Sequence, residues 1–241
     1  MQPVISFIVP AYNEEQLLGQ TLEAIHSAAL DIGEPYELIV VDDGSTDQTA
    51  QVAEGHGAVV VPVHHRKISA TRNSGAEAAT GELLFFIDAD TVVDTQILKA
   101  AVAALRGGVV GGGAALKFDG VIPWHARLLL PVVLLAFRWT GIATGCFLFC
   151  TRLAFLAVGG FDEAYFGAEE IVLSKALKHH GRFKVLTLAV TTSGRKLRTF
   201  SNKEIGTMLL RIARQGSSGV KQREGMELWY GERRDDPEAK S

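Results

Sequence analysis

The chain has 241 residues, of which 47% are hydrophobic and 21% charged, with a formal net charge of −3. That length supports one globular domain with a sizeable core, and Lys and Arg residues scattered until the last quarter exclude a basic surface built for nucleic acid. The only cysteines, Cys146 and Cys150, share one apolar stretch and read as buried free thiols, which fits a reducing, cytoplasmic setting.

The N-terminal "MQPVISFIVPAYNEE" has no basic stretch ahead of its short apolar run and meets Pro10 early, so it reads as a first strand, 4–9, and not as a signal peptide. "EEQLLGQTLEAIHSAAL" follows with Leu17, Leu18, Thr21, Leu22 and Ile25 on one helical face. Further apolar runs at 38–41, 58–63 and 83–87 predict strands. Helical segments separate them: "STDQTAQVA", capped by Ser45 or Thr46, and "SATRNSGAEAAT"; "DTQILKAAVAAL" opens on Asp94 as its cap. Strands alternating with helices in this way predict a parallel sheet covered on both faces.

The rhythm changes at residue 107, where "GGVVGGGAALKFDG" is rich in glycine. "LLLPVVLLAF", 128–137, is far shorter than the ~20 residues that span a bilayer. Trp124, His125, Arg127, Arg138 and Trp139 flank it, so 121–142 reads either as a buried or substrate-covering element or as a peripheral contact with a membrane surface. "CFLFC" (146–150) predicts a strand, "TRLAFLAVGG" a short helix, "GAEEIVLSKALKHHG" a helix stopped by Gly181, and "FKVLTLAV" (183–190) a late strand. His179 and His180 at a helix end read as surface groups facing the negative pole of the helix dipole. Residues 1–222 thus form one domain, split into halves 1–106 and 107–222, and the charged stretch 223–241 reads as a mobile tail.

Ligands of open parallel sheets bind beyond the carboxyl ends of the strands, and three of those ends are chemically unusual. They read "VPAYNEE", "VVDDGSTD" and "FIDAD". Side chains two apart on a strand share a face, so Asp88 and Asp90 project together and repel unless a cation or donor lies between them. Mn²⁺ or Mg²⁺ carried by a diphosphate suits such a pair, because these cations take one or two protein oxygens and fill their shell with phosphate and water. Helix capping competes for the same carboxylates, but Asp94 is the better-placed cap.

"IVPAYNEE", "ELIVVDDGSTDQT", "ATRNSGAEAATGELLFFIDADT" and "AVGGFDEAYFGAEE" together resemble, in order and spacing, the inverting glycosyltransferases of family 2, which have the GT-A fold. The resemblance covers residues 4 to about 175 and implies a Rossmann-like α/β domain with a mostly parallel central sheet that binds a nucleotide-diphosphate sugar. Carried onto this sequence, it places Pro10, Ala11, Tyr12 and Glu14 around the nucleoside and Asp43, beside Asp42, at the base. Tyr12 has the ring to stack on a base, and Asp43 the oxygens to accept an imide or amide proton. The resemblance puts Lys67 near the nucleotide with Arg72 beside it, Asp88 and Ala89 at the ribose and phosphates, and Asp90 with Asp88 at the cation.

In "GAEE" the family pattern has Glu-Asp, with the second carboxylate as base; this sequence has Glu169-Glu170, which nominates Glu170 as base and Glu169 as its neighbour. "TTSGRKLR" stands where relatives carry a mobile loop, so Arg195, Lys196 and Arg198 are expected at the diphosphate. The Gln-x-x-Arg-Trp type motif and membrane helices of the processive synthases are missing from this sequence, which favours a single transfer. A UDP-sugar is the first expectation for the donor and GDP-mannose the second. The acceptor is expected to be a hydroxyl group, lipid-linked if 121–142 meets a membrane's inner face. A nucleotidyltransferase is the rival reading, disfavoured by "PAYNEE" where a glycine-rich basic loop belongs; a non-catalytic nucleotide-sugar-binding protein is another.

Overall fold

The computed structural model describes residues 3–123, 127, 135, 139–215, 219–231, 234 and 236. In its first half, strands β1 (Ile5–Ala11), β2 (Tyr36–Asp42), β3 (Val59–Pro62) and β4 (Leu83–Ile87) alternate with helices α1 (Leu18–Ile32), α2 (Thr49–Gly55) and α3 (Ile68–Ala78). A two-residue strand β5 (Thr91–Val92) and helix α4 (Thr95–Arg106) follow. The second half contains β6 (Gly111–Phe118), β7 (Phe147–Thr151), α5 (Arg152–Ala157), α6 (Glu169–His180) and β8 (Phe183–Thr192), and then the helices α7 (Arg195–Thr199), α8 (Asn202–Gln215) and α9 (Glu227–Tyr230).

One eight-stranded sheet joins the two halves in the order β3-β2-β1-β4-β7-β6-β8-β5. β1 to β4 run parallel, with Ile8 opposite both Ile39 and Phe86. Polarity reverses at β7, which lies antiparallel to β4 and to β6, while β6 and β8 pair in parallel. Strand periodicity sorts the core into two layers. Phe7, Val40 and Phe85 pack with Leu22 of α1 and Leu98 of α4 on one face; Ile8, Val41 and Phe86 pack with Ala76 of α3 and Leu173 of α6 on the other. Full burial of each such side chain contributes about 1.5–3 kcal/mol. Gly75 is what lets α3 sit this close, since a β-carbon there would overlap the side chains of Ile8 and Val41.

β4 occupies the predicted residues, and Asp94 caps α4 by accepting from Ile97 N at 2.9 Å. Other local expectations change. α2 starts at Thr49, not at Ser45 or Thr46, because Ser45 Oγ accepts from Asn13 N (3.0 Å) and ties the loops after β1 and β2 together. The glycine-rich stretch contains the long strand β6: Gly112 faces Phe149 of β7, whose ring occupies the space a side chain would need. Residues 195–199 are helical, and Arg195 is buried. Part of the stretch read as a mobile tail is seated, for Met226 is 1% exposed and Tyr230 Oη accepts from Ile68 N at 3.3 Å.

The apolar core of 121–142, including Leu129, Val133 and Leu134, lies outside the described residues. Leu135, the one described residue of 128–137, is exposed, as are Val121 and Trp139 on either side. No helix among the described residues is long and apolar enough to cross a membrane. Cys146 and Cys150 are both buried free thiols, and burial pushes the Cys146 thiol up to about 12.

Candidate active site

The carboxyl ends of β1, β2 and β4 open into a cavity of about 350 Å³. Pro10, Ala11, Tyr12 and Glu14 reach it from the loop after β1, Asp43 from the end of β2, and Lys67 from the start of α3. Asp88, Ala89 and Asp90 come from the turn after β4, and Glu169 and Glu170 from the first turn of α6. Of the residues nominated from sequence, Asp42, Arg195 and Arg198 stand outside this lining. Asp42 Oδ1 accepts from Ser45 N at 3.1 Å and shapes the loop behind the cavity.

Most charged groups on the β1–β4 side are already bonded to protein. Asp43 Oδ1 accepts from the backbone N–H groups of His65 (2.6 Å) and Arg66 (2.8 Å), and Oδ2 from Lys67 N (3.1 Å) and Thr71 Oγ1 (2.9 Å). A buried carboxylate at the head of α3 meets amide donors that the helix cannot satisfy itself, so Asp43 shapes the 65–67 loop. That loop lays the Arg66 guanidinium 3.3 Å over the Tyr12 ring and Lys67 Nζ 4.1 Å over Phe166. Glu14 Oε1 and Oε2 accept from Arg195 Nη2 at 2.8 and 2.9 Å. Arg195 is therefore held behind the cavity; Lys196, its neighbour, lines the cavity and has no carboxylate partner among the described residues. Arg198 is anchored elsewhere, by Asp119 and Asp236.

Asp88 and Asp90 occupy a turn, closed by Thr91 N donating to Asp88 O at 3.0 Å, and not the strand the sequence suggested. Thr21 Oγ1 of α1 donates to Ala89 O at 2.8 Å and pins this turn from below. Asp88 Oδ1 accepts from Arg72 Nη2 at 2.7 Å, and its second oxygen has no protein partner among the described residues. Among the described residues the Asp90 carboxylate receives only a long bond, 3.4 Å, from Thr192 Oγ1, while its carbonyl accepts from Ser193 N at 3.0 Å. Opposite, Glu169 Oε1 accepts from Arg72 Nη1 at 2.8 Å, whereas the Glu170 carboxylate faces the cavity with no side-chain partner among the described residues. Burial first, and the Glu169 charge second, raise Glu170 to about 8. Arg72, 3% exposed, joins both sides; its signal in the sequence was only "RN" in a helix of small residues.

Residues 6–156 match the sequence pattern of Glycosyl transferase family 2. The chain belongs to that family. The chain is 33% identical over 162 residues to the undecaprenyl-phosphate 4-deoxy-4-formamido-L-arabinose transferase of Pseudomonas aeruginosa, a match covering 60% of this chain and 46% of that protein. It is 27% identical over 221 residues to the validoxylamine A glucosyltransferase of Streptomyces hygroscopicus subsp. limoneus, covering 74% and 49%. The chain thus spans about half the length of these curated family 2 relatives. Among solved structures it resembles a mannosyltransferase from Pyrobaculum calidifontis in complex with GDP-Man and Mn²⁺, with TM-score 0.65 and 20% identity over 99% of this chain and 67% of that one. It also resembles glucosyl-3-phosphoglycerate synthase from Mycobacterium tuberculosis in complex with Mn²⁺, UDP and glucosyl-3-phosphoglycerate, with TM-score 0.62 and 20% identity over 90% and 80%. The fold is GT-A.

Among the described residues no three His, Cys, Asp or Glu side chains converge to hold a metal unaided. Asp90 and the second oxygen of Asp88 match a different demand. They present hard oxygens to a cation that completes its shell on phosphate and water, so the donor set fits a divalent ion delivered with a diphosphate.

Proposed function

We propose that this glycosyl transferase family 2 chain moves one sugar, with inversion, from a nucleotide-diphosphate sugar to an acceptor hydroxyl, using Glu170 as base. The observation that carries this reading is the contrast between adjacent carboxylates: Arg72 holds Glu169, while Glu170 lines the cavity without a side-chain partner among the described residues. A general base works best with a pKa near the operating pH, and burial moves Glu170 in that direction. Its carboxylate takes the proton of the acceptor hydroxyl as that oxygen attacks the anomeric carbon from the face opposite the diphosphate. Lys196 meets the charge that grows on the leaving diphosphate. Asp90 and Asp88 hold a divalent cation, Mn²⁺ or Mg²⁺, which when bound neutralises charge on the phosphates. Tyr12, Pro10 and Ala11 border the nucleoside, with Asp43 acting on it through the loop it shapes.

The acceptor reading rests on the rest of the lining. Leu116 and Phe118 at the end of β6, Leu197 of α7 and Leu228 of α9 form an apolar wall, which suits a hydroxyl carried beside an apolar chain. Exposed Val121, Leu135 and Trp139 agree with such an acceptor lying in a membrane surface, as does the lipid phosphate in the name of the Pseudomonas relative. UDP-sugars are the preferred donors and GDP-mannose the next. A thermal-shift series of nucleotide sugars, with and without Mn²⁺, tests the donor, because a ligand that binds only the native state raises the melting temperature. Stabilisation by a UDP-sugar only in the presence of Mn²⁺ is the expected result. No shift with any nucleotide sugar, or product formed equally well with lipid-free acceptors, would remove the corresponding part of the reading.

A further inference from the structure

We propose that Arg72 is a positioning residue that sets the separation between the donor-cation carboxylates and the base by holding Asp88 and Glu169 at the same time. The inference rests on Glu170 being the base and adds what keeps it in place. Arg72 Nη1 donates to Glu169 Oε1 at 2.8 Å, and Nη2 donates to Asp88 Oδ1 and to the Gly145 carbonyl, each at 2.7 Å. Asp88 belongs to the donor side and Glu169 to the first turn of α6, whose next residue is Glu170. Gly145 borders the Glu170 carboxylate as well, since a β-carbon on it would lie 3.5 Å from Glu170 Cδ. One guanidinium therefore fixes three groups, two on the path to the base and one on the cation side.

The fork is itself held firmly. Arg72 lies one turn before Gly75, the residue that seats α3 directly on β1 and β2. A planar guanidinium bonds two carboxylates along fixed directions, which a lysine ammonium on a flexible stem cannot reproduce. A purely structural role is the weaker reading of a buried ion pair, because replacing such pairs by apolar groups is often neutral for stability. Here both carboxylate partners line the cavity, so their orientation matters where the chemistry takes place.

The test compares Arg72→Lys, Arg72→Ala and Glu170→Gln in a transfer assay, with melting temperature measured for each. Misplacement of reacting groups by about 1 Å costs roughly 10²-fold in rate, so Arg72→Lys should lose about that much kcat with a much smaller change in donor KM. Guanidinium ion at millimolar concentration should restore part of the turnover of Arg72→Ala, a response that loss of folding alone would not give. Near-normal turnover in Arg72→Lys beside a crippled Glu170→Gln overturns the positioning role alone. So does a loss that follows melting temperature and does not respond to guanidinium. Full turnover in Glu170→Gln removes the base assignment, and the positioning role falls with it.

Discussion

The two sides of the cavity are built on different terms. On the side formed by β1, β2 and β4, polar groups are bonded to one another before any substrate arrives: Asp43 to the 65–67 loop, Glu14 to Arg195 and Asp88 to Arg72. On the other side, Leu116, Phe118, Leu197 and Leu228 come from three separate elements and present hydrocarbon. The family match ends at residue 156, so it takes in Asp43, Arg72 and Asp88 but also Leu116 and Phe118 of β6, whereas Arg195 and the helices α6, α7 and α9 lie beyond. A preorganised polar frame suits a ligand of fixed chemistry such as a diphosphate, since the reorganisation cost is met during folding. An apolar wall suits the hydrocarbon part of a second partner. Asp90 and Glu170, one on each side, are the cavity carboxylates left without a strong protein partner among the described residues.

If that division holds, the largest effect belongs to Glu170. Glu170→Gln should lower turnover by about 10²- to 10⁴-fold with little change in donor affinity, and Glu169→Gln should cost less because an amide oxygen can still accept from Arg72. The wild-type rate should climb with pH until Glu170 is ionised, near 8, and then level off. Stability should move the opposite way. A folded pKa raised above the unfolded value of about 4.3 gives a contribution that is complete below the unfolded value and lost as pH rises through the folded one. Stopped assays and melting curves across pH 5–9 check both signs together, and a rate that is flat across this range would mean that another group takes the proton.

The next effect in size belongs to Asp90. Asp90→Asn should remove the cation-dependent part of donor binding, about 10- to 100-fold by calorimetry, and leave the melting temperature nearly unchanged, because Thr192 gives it only a long bond. Equal affinity with and without Mn²⁺ in the wild-type protein would break the comparison on its polar side. An acceptor KM that rises instead of the donor dissociation constant would show that Asp90 faces the other substrate.

Legibility in the sequence follows the same division. β4 was readable because an unbroken apolar run between turn residues has few alternatives, and the donor-side motifs lie in short contiguous stretches. β6 was hidden because glycine carries no strand preference of its own; the strand exists since Phe149 of β7 fills the space over Gly112. Arg72 was visible as a residue but not as a link, for its partners stand 16 and 97 positions away. Asp43 was expected at the base and Arg195 at the diphosphate, yet no local pattern tells that their charges are engaged by the protein itself. The charged composition of residues 223–241 suggested a mobile tail, because the seat that Met226 and Tyr230 occupy is built by Gly167, Phe166 and Ile68, far back in the chain.

The smallest effect concerns that seat and asks whether the apolar wall extends to the C-terminal segment. Tyr230 lines the cavity, meets Phe166 edge-on with ring centres 5.7 Å apart, and accepts from Ile68 N at 3.3 Å; burial raises its phenol, so it stays protonated. Tyr230→Phe retains the ring and removes one hydrogen bond, which leaves Ile68 N–H without that acceptor at a cost of about 1 kcal/mol. For a chain of this size that corresponds to a fall of roughly 2–4 °C in melting temperature. Because the ring still packs on Phe166, the wall loosens without collapsing, and acceptor KM should rise a few-fold, about what 1 kcal/mol allows, while donor KM stays unchanged. A change confined to donor KM would place Tyr230 with Lys67 and Ile68 on the nucleotide side. The C-terminal segment would then belong to the polar frame, and the boundary between the two sides would run through α9 and not ahead of it.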